Sequence, residues 1–166
     1  WFWSNEDFTE ATNLHTFDIS NSGETLYTGS GRINGTVQDQ FSLSEYNGTL
    51  RVATTTGQWG RWWMAEPDPM ENHVVTLQPG FDSTTGLPVL NEVGHIGGIA
   101  EGESIWSTRF VGDTCYMVTF RNIDPLWTID LSDPSQPSII GELEVPGVST
   151  YIHPIHEDYL LTIGLP

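Results

Sequence analysis

Apolar and polar positions along the chain follow the patterns of short β-strands. The run TCYMVTF, residues 114–120, is almost continuously apolar, which is typical of a strand covered on both faces. The run GELEV, residues 141–145, instead alternates, with Glu142 and Glu144 on one face and apolar residues on the other. Apolar residues nowhere keep the 3.6-residue period of a helix, and glycine and proline separate the runs. The pattern predicts an all-β protein.

Three segments of the chain repeat one pattern. They begin at Gly31, Gly94 and Gly141, and each has an alternating strand, a second glycine, a linker and two apolar strands joined by a polar turn. The turns EYNGT, VGDT and IHED suit tight hairpins, because Asn, Asp and Gly tolerate positive φ angles. The opening glycines are 63 and 47 residues apart. The shorter spacing is close to the roughly 40 to 45 residues of a four-stranded propeller blade.

One repeat divides into four strands whose burial is graded. SIWSTRF is predicted as the innermost strand, TCYMVTF as the second, LWTIDL as the third and SIIGELEV as the outermost. In a β-propeller the sheets stack face to face, so inner strands are covered on both sides and the outermost strand forms an edge. The chain is therefore predicted to be all-β, with two and a half to three four-stranded blades of an incomplete β-propeller ring.

The whole chain, residues 1–166, is assigned to part of one β-propeller domain. Blade boundaries are predicted near residues 31, 94 and 141, and an insertion at about residues 57–88 explains the longer spacing. A ring needs about four to eight blades, so the remaining blades are predicted to come from the same protein or from another chain. A fragment without them would expose two apolar sheet faces.

Charge and cysteine content narrow the range of functions. The chain has five Lys and Arg residues and 22 Asp and Glu residues, for a net charge of −17. Nucleic acids and anionic membrane surfaces attract basic proteins, so neither is predicted as a partner. No apolar run has the length of a membrane span, so no membrane insertion is predicted within this segment. The single cysteine, Cys115, lies in an apolar strand and is predicted to be a buried, inert thiol.

Several acidic stretches have the composition of turns. In DLSDPSQP, Asp130, Asp133 and two prolines are predicted to form the turn from the third to the fourth strand, because aspartate accepts hydrogen bonds from nearby backbone amides. The stretch DISNSGE, residues 18–24, has oxygen ligands before a glycine but lacks the spacing of a full calcium loop. Calcium held between blades by Asp113, Asp124 or Asp130 stays open as an alternative.

The order of several longer motifs resembles one protein family. The motifs are QFSLSEY, LRVATT, RFVGD, DPLW, DLSDP, GELEVPG and STYIHP, and they cover most of residues 25–155. Together they are similar to the secreted proteins of bacteria and archaea that contain a C-terminal β-propeller domain. The resemblance implies a secreted, extracellular or cell-surface propeller that is longer than this chain. It implies no known reaction and no catalytic residue.

One stretch near the end of the chain groups residues that can bind metals. HPIHED contains His153, His156, Glu157 and Asp158, and imidazole and carboxylate groups this close can hold zinc or copper. On a regular strand, however, residues three apart point to opposite faces. A shared ion would therefore require the backbone to bend at Pro154. The competing interpretation is that His153 lines the central channel or packs as a neutral histidine.

A tryptophan-rich segment and two asparagines are further candidates. Trp59, Trp62 and Trp63 lie in the predicted insertion, where they can bind a protein partner or cover the propeller's own apolar surface. Asn34 and Asn47 each begin an Asn-Gly-Thr sequence, which fits N-glycosylation and also a plain glycine turn.

Three arginines, Arg51, Arg109 and Arg121, lie beside or within apolar strands. Because cations are scarce in this chain, they are predicted to form structural ion pairs with neighbouring carboxylates. The partners expected from the sequence are Glu45, Asp113 and Asp124.

The sequence predicts a non-catalytic, secreted or cell-surface β-propeller that acts as a protein-interaction or structural module with protein partners. The alternative is a metal-binding or hydrolytic propeller with a site at the channel mouth that uses His153, His156 and nearby carboxylates. No catalytic residue is assigned. No cofactor is assigned either, with calcium or a transition metal as open alternatives.

Overall fold

The computed structural model describes residues 10–58, 69–120, 124–145, 147–156 and 158–165. Within these residues the chain forms strands and one short 3-10 turn at Gln40–Ser42, and none of the described residues forms a helix long and apolar enough to cross a membrane. The strands are β1 (Ala11–Asp18), β2 (Leu26–Asn34), β3 (Leu43–Tyr46), β4 (Thr49–Thr56), β5 (Glu71–Phe81), β6 (Pro88–Ile99), β7 (Ser104–Val111), β8 (Thr114–Phe120), β9 (Asp124–Asp130), β10 (Ser138–Val145), β11 (Val148–His156) and β12 (Tyr159–Leu165).

Strands β7 to β10 form one complete four-stranded antiparallel sheet, the β7–β10 blade. Its strand order is β10-β9-β8-β7, so each strand pairs with its neighbour in sequence. These are the four strands predicted from the sequence, in the predicted order. Strand β8 is the most buried of them, and Cys115 and Met117 have no exposed surface. The all-β prediction and the four-stranded blade are confirmed.

The outermost strand of this blade differs from the prediction in its burial. Alternation predicted one apolar face and one charged face, but Leu143 is 61% exposed and Ile140 is exposed as well. Strand β10 is the edge of its sheet and packs chiefly against β9, so alternation does not produce a buried side here.

Strands β1 to β6 form a six-stranded sheet with the order β1-β2-β6-β5-β4-β3. Strands β3 to β6 make an antiparallel four-stranded unit like the β7–β10 blade. Strand β2 joins β6 through a parallel pairing at Ser30 and Val89. The repeat predicted that the strands containing Gly31 and Gly94 lie in separate blades, but the structure has both strands in one sheet.

Close backbone contact explains why β2 and β6 meet. A Cβ atom on Gly31 would stand 2.9 Å from Leu90 Cβ and 3.2 Å from the Leu90 carbonyl oxygen. Only a residue without a side chain lets the two backbones approach this closely. The glycine that marks the start of the repeat thus also permits contact between its strand and the next four-stranded unit.

Two apolar clusters form the core, and the larger one lies between two sheets. The larger cluster joins the six-stranded sheet, through Ala53, Val74 and Ile99, to the β7–β10 blade, through buried residues that include Ile105, Cys115, Met117, Ile129 and Leu131. The second cluster joins β2 to β4, β5 and β6 through Ile33, Val52, Val75, Leu77 and Leu90. The β11–β12 hairpin forms its own two-stranded sheet and contacts β7. Successive sheets therefore cover one another, as in successive propeller blades.

Part of the segment predicted as an insertion, about residues 57–88, belongs to the six-stranded sheet. Strand β5 pairs with β4 on one side and with β6 on the other, and residues 82–87 connect β5 to β6. The blade boundaries near residues 31, 94 and 141 stay predictions.

Candidate functional site

The metal-binding residues predicted near the end of the chain lie on the β11–β12 hairpin. The pairing register shifts between Pro154 and His156, so His153 lies opposite Leu161 and His156 lies opposite Tyr159. Such a bulge puts the two histidines on the same face of the hairpin, which a regular strand would not do. Asp158 lies in the turn, and Glu157 lies outside the described residues.

Each of these two histidines contacts a tyrosine. The Tyr151 hydroxyl lies 3.2 Å from His153 Nδ1, and the rings of His156 and Tyr159 lie edge to face with centroids 6.1 Å apart. In the part of the chain that the structure describes, no three His, Cys, Asp or Glu side chains are already grouped as metal ligands. Metal binding by the predicted set, His153, His156, Glu157 and Asp158, stays a prediction.

The other predicted site residues are divided between described and undescribed regions. Trp59, Trp62 and Trp63 lie outside the described residues, so their proposed contact with a partner stays a prediction. Asn34 is the exposed last residue of β2, and Asn47 is exposed in the β3–β4 turn with a positive φ of 51°. Glycosylation at either asparagine stays a prediction.

The acidic stretches form turns in which aspartate caps the backbone. Asp18 Oδ1 accepts a hydrogen bond from the Ser20 amide at 2.8 Å, and Asp133 Oδ1 accepts one from the Ser135 amide at 2.9 Å. Hydrogen bonds to an ionised carboxylate favour its charged form. The pKa of Asp133 is therefore lowered, first by the Ser135 hydroxyl and then by the Ser135 amide.

The hydrogen bonds of the Asp133 turn predict that its carboxyl group titrates at a lowered pH. The pKa of Asp133 in the folded protein lies below the usual value near 3.8. At pH values above the unfolded pKa, the ionised carboxylate therefore stabilises the native turn. This stabilisation is lost as the pH falls through the folded pKa. We expect the carboxyl resonance of Asp133 in the full-length protein to titrate at a lower pH than in a peptide of residues 130–137. The Ser135→Ala variant is the control. An unchanged Asp133 midpoint in that variant would contradict this explanation.

The same turn also joins two sheets. Thr76 Oγ1, on β5, donates a hydrogen bond to the Pro134 carbonyl oxygen at 2.5 Å. Gly94, on β6, lies directly beneath it, because a Cβ atom there would stand 2.1 Å from that oxygen. The proline-rich stretch between the third and fourth strands is thus a structural contact between the six-stranded sheet and the β7–β10 blade.

Arg51 makes a second contact between the six-stranded sheet and the β7–β10 blade. This residue is 4% exposed, and its guanidinium donates to the Gly112 carbonyl oxygen and to Ser44 Oγ. The guanidinium also lies 5.0 Å from the centre of the Phe110 ring. Burial lowers the pKa of Arg51, and Asp113 and other nearby groups oppose that shift. The predicted structural role is confirmed, but the direct bonds go to neutral oxygens instead of carboxylates.

Arg109 connects the β7–β10 blade to the β11–β12 hairpin. Its Nε donates to the Ile152 carbonyl oxygen at 2.8 Å, and its guanidinium lies 3.9 Å from the centre of the Phe41 ring. Ser107 Oγ donates to the Ser149 carbonyl oxygen at 2.9 Å in the same interface. Arg121, the third arginine considered above, lies outside the described residues.

A cleft on the six-stranded sheet contains titratable side chains that no sequence motif indicates. We call it the histidine cleft. It has a volume of about 300 Å³ and is lined by Asn34, Thr56, Glu71, His73, Val75, Glu92 and His95. Glu71 and His73 are two residues apart on β5, so their side chains lie on the same face. His95, on β6, is paired with Val75 of β5. Strand pairing thus brings the side chains of two sequence-distant histidines together.

The two imidazole rings of the histidine cleft contact each other directly. His73 Nδ1 and His95 Nε2 are 3.1 Å apart, and the ring centroids are 5.2 Å apart. His73 is buried, whereas His95 is exposed at the cleft surface. Burial lowers the pKa of His73, neighbouring His95 lowers it further, and Glu71 opposes both effects. The neutral form of His73 is therefore favoured.

The hydrogen bonds around His73 favour one tautomer, with the proton on Nε2. Thr56 Oγ1 donates its own hydrogen to the Glu71 carbonyl oxygen at 3.3 Å, and the same oxygen lies 3.0 Å from His73 Nε2. With that hydrogen on the Glu71 carbonyl oxygen, the hydroxyl accepts from Nε2. His73 Nδ1 is then unprotonated and accepts a hydrogen bond from His95 Nε2.

A glycine opens space next to these nitrogens. The register shift of β6 between the partners of Asn72 and Val74 leaves Gly97 and Gly98 opposite His73. A Cβ atom on Gly97 would stand 2.7 Å from His73 Nδ1 and 3.1 Å from a carboxylate oxygen of Glu71. The missing side chain therefore leaves a small space that the imidazole and the carboxylate share.

The four-stranded sheets and the contacts between them are those of a β-propeller, and comparison with known proteins supports this fold. The chain belongs to the β-propeller domain family, whose sequence pattern matches residues 1–165. An uncharacterized protein of Methanocaldococcus jannaschii is 38% identical over 164 residues, which are 98% of this chain and 23% of that protein. An uncharacterized protein of Archaeoglobus fulgidus is 37% identical over 155 residues, which are 93% of this chain and 21% of that protein.

The chain thus spans less than a quarter of the length of the curated relatives it matches. The predicted fold class, part of a β-propeller, is confirmed. The resemblance stated from the motifs is confirmed for the propeller domain itself, and its implications of secretion and of a C-terminal position stay predictions.

Proposed function

We propose that this chain is one segment of a larger propeller ring in a longer protein, and that it acts as a non-catalytic structural and protein-interaction module. Buried and partly buried polar side chains support this role, because they connect one sheet to the next. Arg51, Arg109 and Thr76 each donate to a backbone carbonyl oxygen across an interface between sheets. Such groups hold a scaffold together.

The observation that carries the proposal is the exposed face of the β11–β12 hairpin. One side of the hairpin contacts β7, where Ile152 is fully buried. The opposite side exposes a row of large apolar residues that would cost free energy to leave in water. These are Tyr159, Leu161, Ile163 and Leu165. A two-stranded sheet with one covered and one bare apolar face is half of a blade, and we propose that further strands of the longer protein complete it.

The sheet edge formed by β1 and β2 also exposes large apolar side chains. Phe17 and Tyr27 pack edge to face with ring centroids 5.9 Å apart, yet both rings are about half exposed, and so is Leu26. Our proposal assigns this surface to the preceding blade of the same ring. Both ends of the described segment then meet propeller strands.

For the interaction role, charge indicates the class of partner. A net charge of −17 repels acidic proteins and attracts basic ones, and complementary charge chiefly raises association rates and specificity. We therefore propose a protein partner with a basic surface. A secreted or cell-surface location is part of the proposal and has the motif resemblance as its support.

Thiol labelling in the full-length protein tests whether the hairpin face is covered. Cys115 is buried and is the only cysteine of this segment, so it contributes little background here. We expect a maleimide to label an Ile163→Cys variant at least about tenfold more slowly than an unfolded control, because a covered site reacts only after local opening.

Leu143→Cys is the matched control, since Leu143 lies on the outermost strand of the β7–β10 blade and should stay accessible. Slow labelling at residue 163 together with fast labelling at residue 143 supports the ring. Equally fast labelling at both positions would contradict the proposal that further strands cover the hairpin.

A further inference from the structure

We infer that the histidine cleft binds one divalent transition-metal ion through His73 Nδ1 and His95 Nε2. This inference goes beyond the proposed scaffold role and concerns different residues from the HPIHED stretch. It stands on the geometry of two neighbouring strands, so it can fail without affecting the propeller assignment, and the reverse also holds.

The distance between the two nitrogens suits a shared ion. Transition metals bind imidazole nitrogen at about 2.0 to 2.1 Å. Two nitrogens that are 3.1 Å apart would then subtend an angle of about 100° at the metal, which lies between octahedral and tetrahedral values. An ion would therefore lie to one side of the line that joins the two nitrogens, where it replaces the hydrogen bond between the rings.

The surroundings prepare His73 as a ligand before any ion arrives. A ligating histidine usually donates its other N–H to a nearby oxygen, which fixes the tautomer and the orientation of the ring. Thr56 Oγ1 suits that role here, because it lies 3.0 Å from His73 Nε2 and can accept from it while donating to the Glu71 carbonyl oxygen. Nδ1 is then unprotonated and accepts a hydrogen bond from His95 Nε2, and a bound ion would take the place of that hydrogen.

A third ligand is within reach of the same point. The carboxylate of Glu71 and His73 Nδ1 both border the space above Gly97, at 3.1 Å and 2.7 Å from the position of a Cβ atom there. A rotation of the exposed part of the Glu71 side chain would bring an oxygen onto an ion in this space. Water completes the coordination, because the cleft has room for it.

The donor set selects the class of ion. Two imidazole nitrogens and one carboxylate favour zinc, copper or nickel over calcium and magnesium, which prefer sites made only of oxygen. The cleft is also lined by Glu92, and two carboxylates in one cleft favour a doubly charged cation over a neutral ligand. We commit to a zinc- or copper-type ion.

The test uses the metal-free full-length protein, titrated separately with Zn²⁺ and Cu²⁺ alone and followed by equilibrium dialysis with elemental analysis. We expect a stoichiometric ion that the His95→Ala variant loses with at least about a 100-fold decrease in affinity, since loss of an outer partner alone costs about 10- to 100-fold. His95 is exposed, so this variant should fold. Continued protection of Cys115 from a thiol reagent checks that it does.

Two further variants separate a built site from chance binding. Gly97→Ala keeps both imidazoles but fills the space beside His73 Nδ1, and Thr56→Val keeps them but removes the oxygen that orients His73. Both should weaken binding by about 10- to 100-fold. In wild-type protein, the electron paramagnetic resonance spectrum of bound Cu²⁺ should show coupling to two imidazole nitrogens.

His15→Ala and His153→Ala are the controls, because both histidines are exposed and lie outside the cleft. Unchanged affinity in these variants, with loss in His95→Ala, supports the inference. Absence of a stoichiometric ion in the wild-type protein would overturn it. Equal binding by His95→Ala, or a loss caused by His153→Ala instead, would overturn it as well.

Discussion

Replacing Gly94 with alanine is expected to weaken the contact between the six-stranded sheet and the β7–β10 blade by about 3 kcal/mol, the upper part of the usual range for overpacking. The new Cβ atom would stand 2.1 Å from the Pro134 carbonyl oxygen and 2.9 Å from Thr76 Oγ1. The closer of these atoms belongs to the backbone of a proline-containing turn, so it cannot move aside by a simple side-chain rotation. The turn must separate from β6, and the hydrogen bond from Thr76 is lost with it.

Native-state hydrogen exchange in the full-length protein measures this effect at the core amides of β5 and β8, because it reports local opening free energies. Gly23→Ala is the control, since a Cβ atom there meets only Asn21 Oδ1 at 3.7 Å. We expect faster exchange in Gly94→Ala and unchanged exchange in Gly23→Ala. Equal protection in the two variants would show that the turn does not pack against Gly94.

Replacing Asn72 with alanine is expected to destabilise the same interface by about 3 kcal/mol, because several buried polar groups lose their partner at about 1–3 kcal/mol each. Asn72 has no exposed surface. Its Oδ1 accepts from Thr55 Oγ1 at 2.7 Å, and its Nδ2 donates to the carbonyl oxygens of Ile99 and Glu103. One side chain thus ties β4 and β5 to the turn that leads from β6 into the β7–β10 blade.

Gln78→Ala is the matched control for Asn72→Ala. Gln78 is also an amide on β5 and donates to Thr49 Oγ1, but it is exposed, so water can replace its partner. Exchange at the amides of β6 and β7 should accelerate in Asn72→Ala and stay unchanged in Gln78→Ala. A similar small effect in both variants would mean that the Asn72 network contributes little to the junction.

The local pattern of the sequence was enough to predict the β7–β10 blade. Continuous apolar character in β8, alternating charges in β10 and turn residues between the strands are each encoded within about ten neighbouring residues. The pairing of β2 with β6 could not be predicted in this way. It depends on the fit of Gly31 against Leu90, two residues far apart in sequence whose proximity only the folded chain defines.

The histidine cleft was missed for a related reason. Sequence reading favours ligands that are close in sequence, as in HPIHED, whereas His73 and His95 meet through the register of β5 and β6 and a bulge at Gly97 and Gly98. The sequence did contain a signal for this site, because Glu71 and His73 are two residues apart on one strand and His95 comes shortly before the glycine pair at residues 97 and 98. Only the strand register shows that they share a face.

The arginines show a second limit of sequence reasoning. Their charge suggested carboxylate partners, yet the direct hydrogen bonds of Arg51 and Arg109 include the carbonyl oxygens of Gly112 and Ile152. Every residue has a backbone carbonyl, so such partners leave no mark in the sequence. The structural role of both residues could be predicted, but their partners could not.

A crystal structure or cryo-electron microscopy map of the full-length protein tests the central claim most directly. We predict that the β7–β10 blade lies between the six-stranded sheet and a four-stranded blade that begins with β11 and β12, with these sheets arranged around a common axis. The apolar side chains of Leu161 and Ile163 should be covered there by neighbouring strands. Sheets arranged instead as a two-layer sandwich, or a hairpin face left open to solvent, would contradict the account.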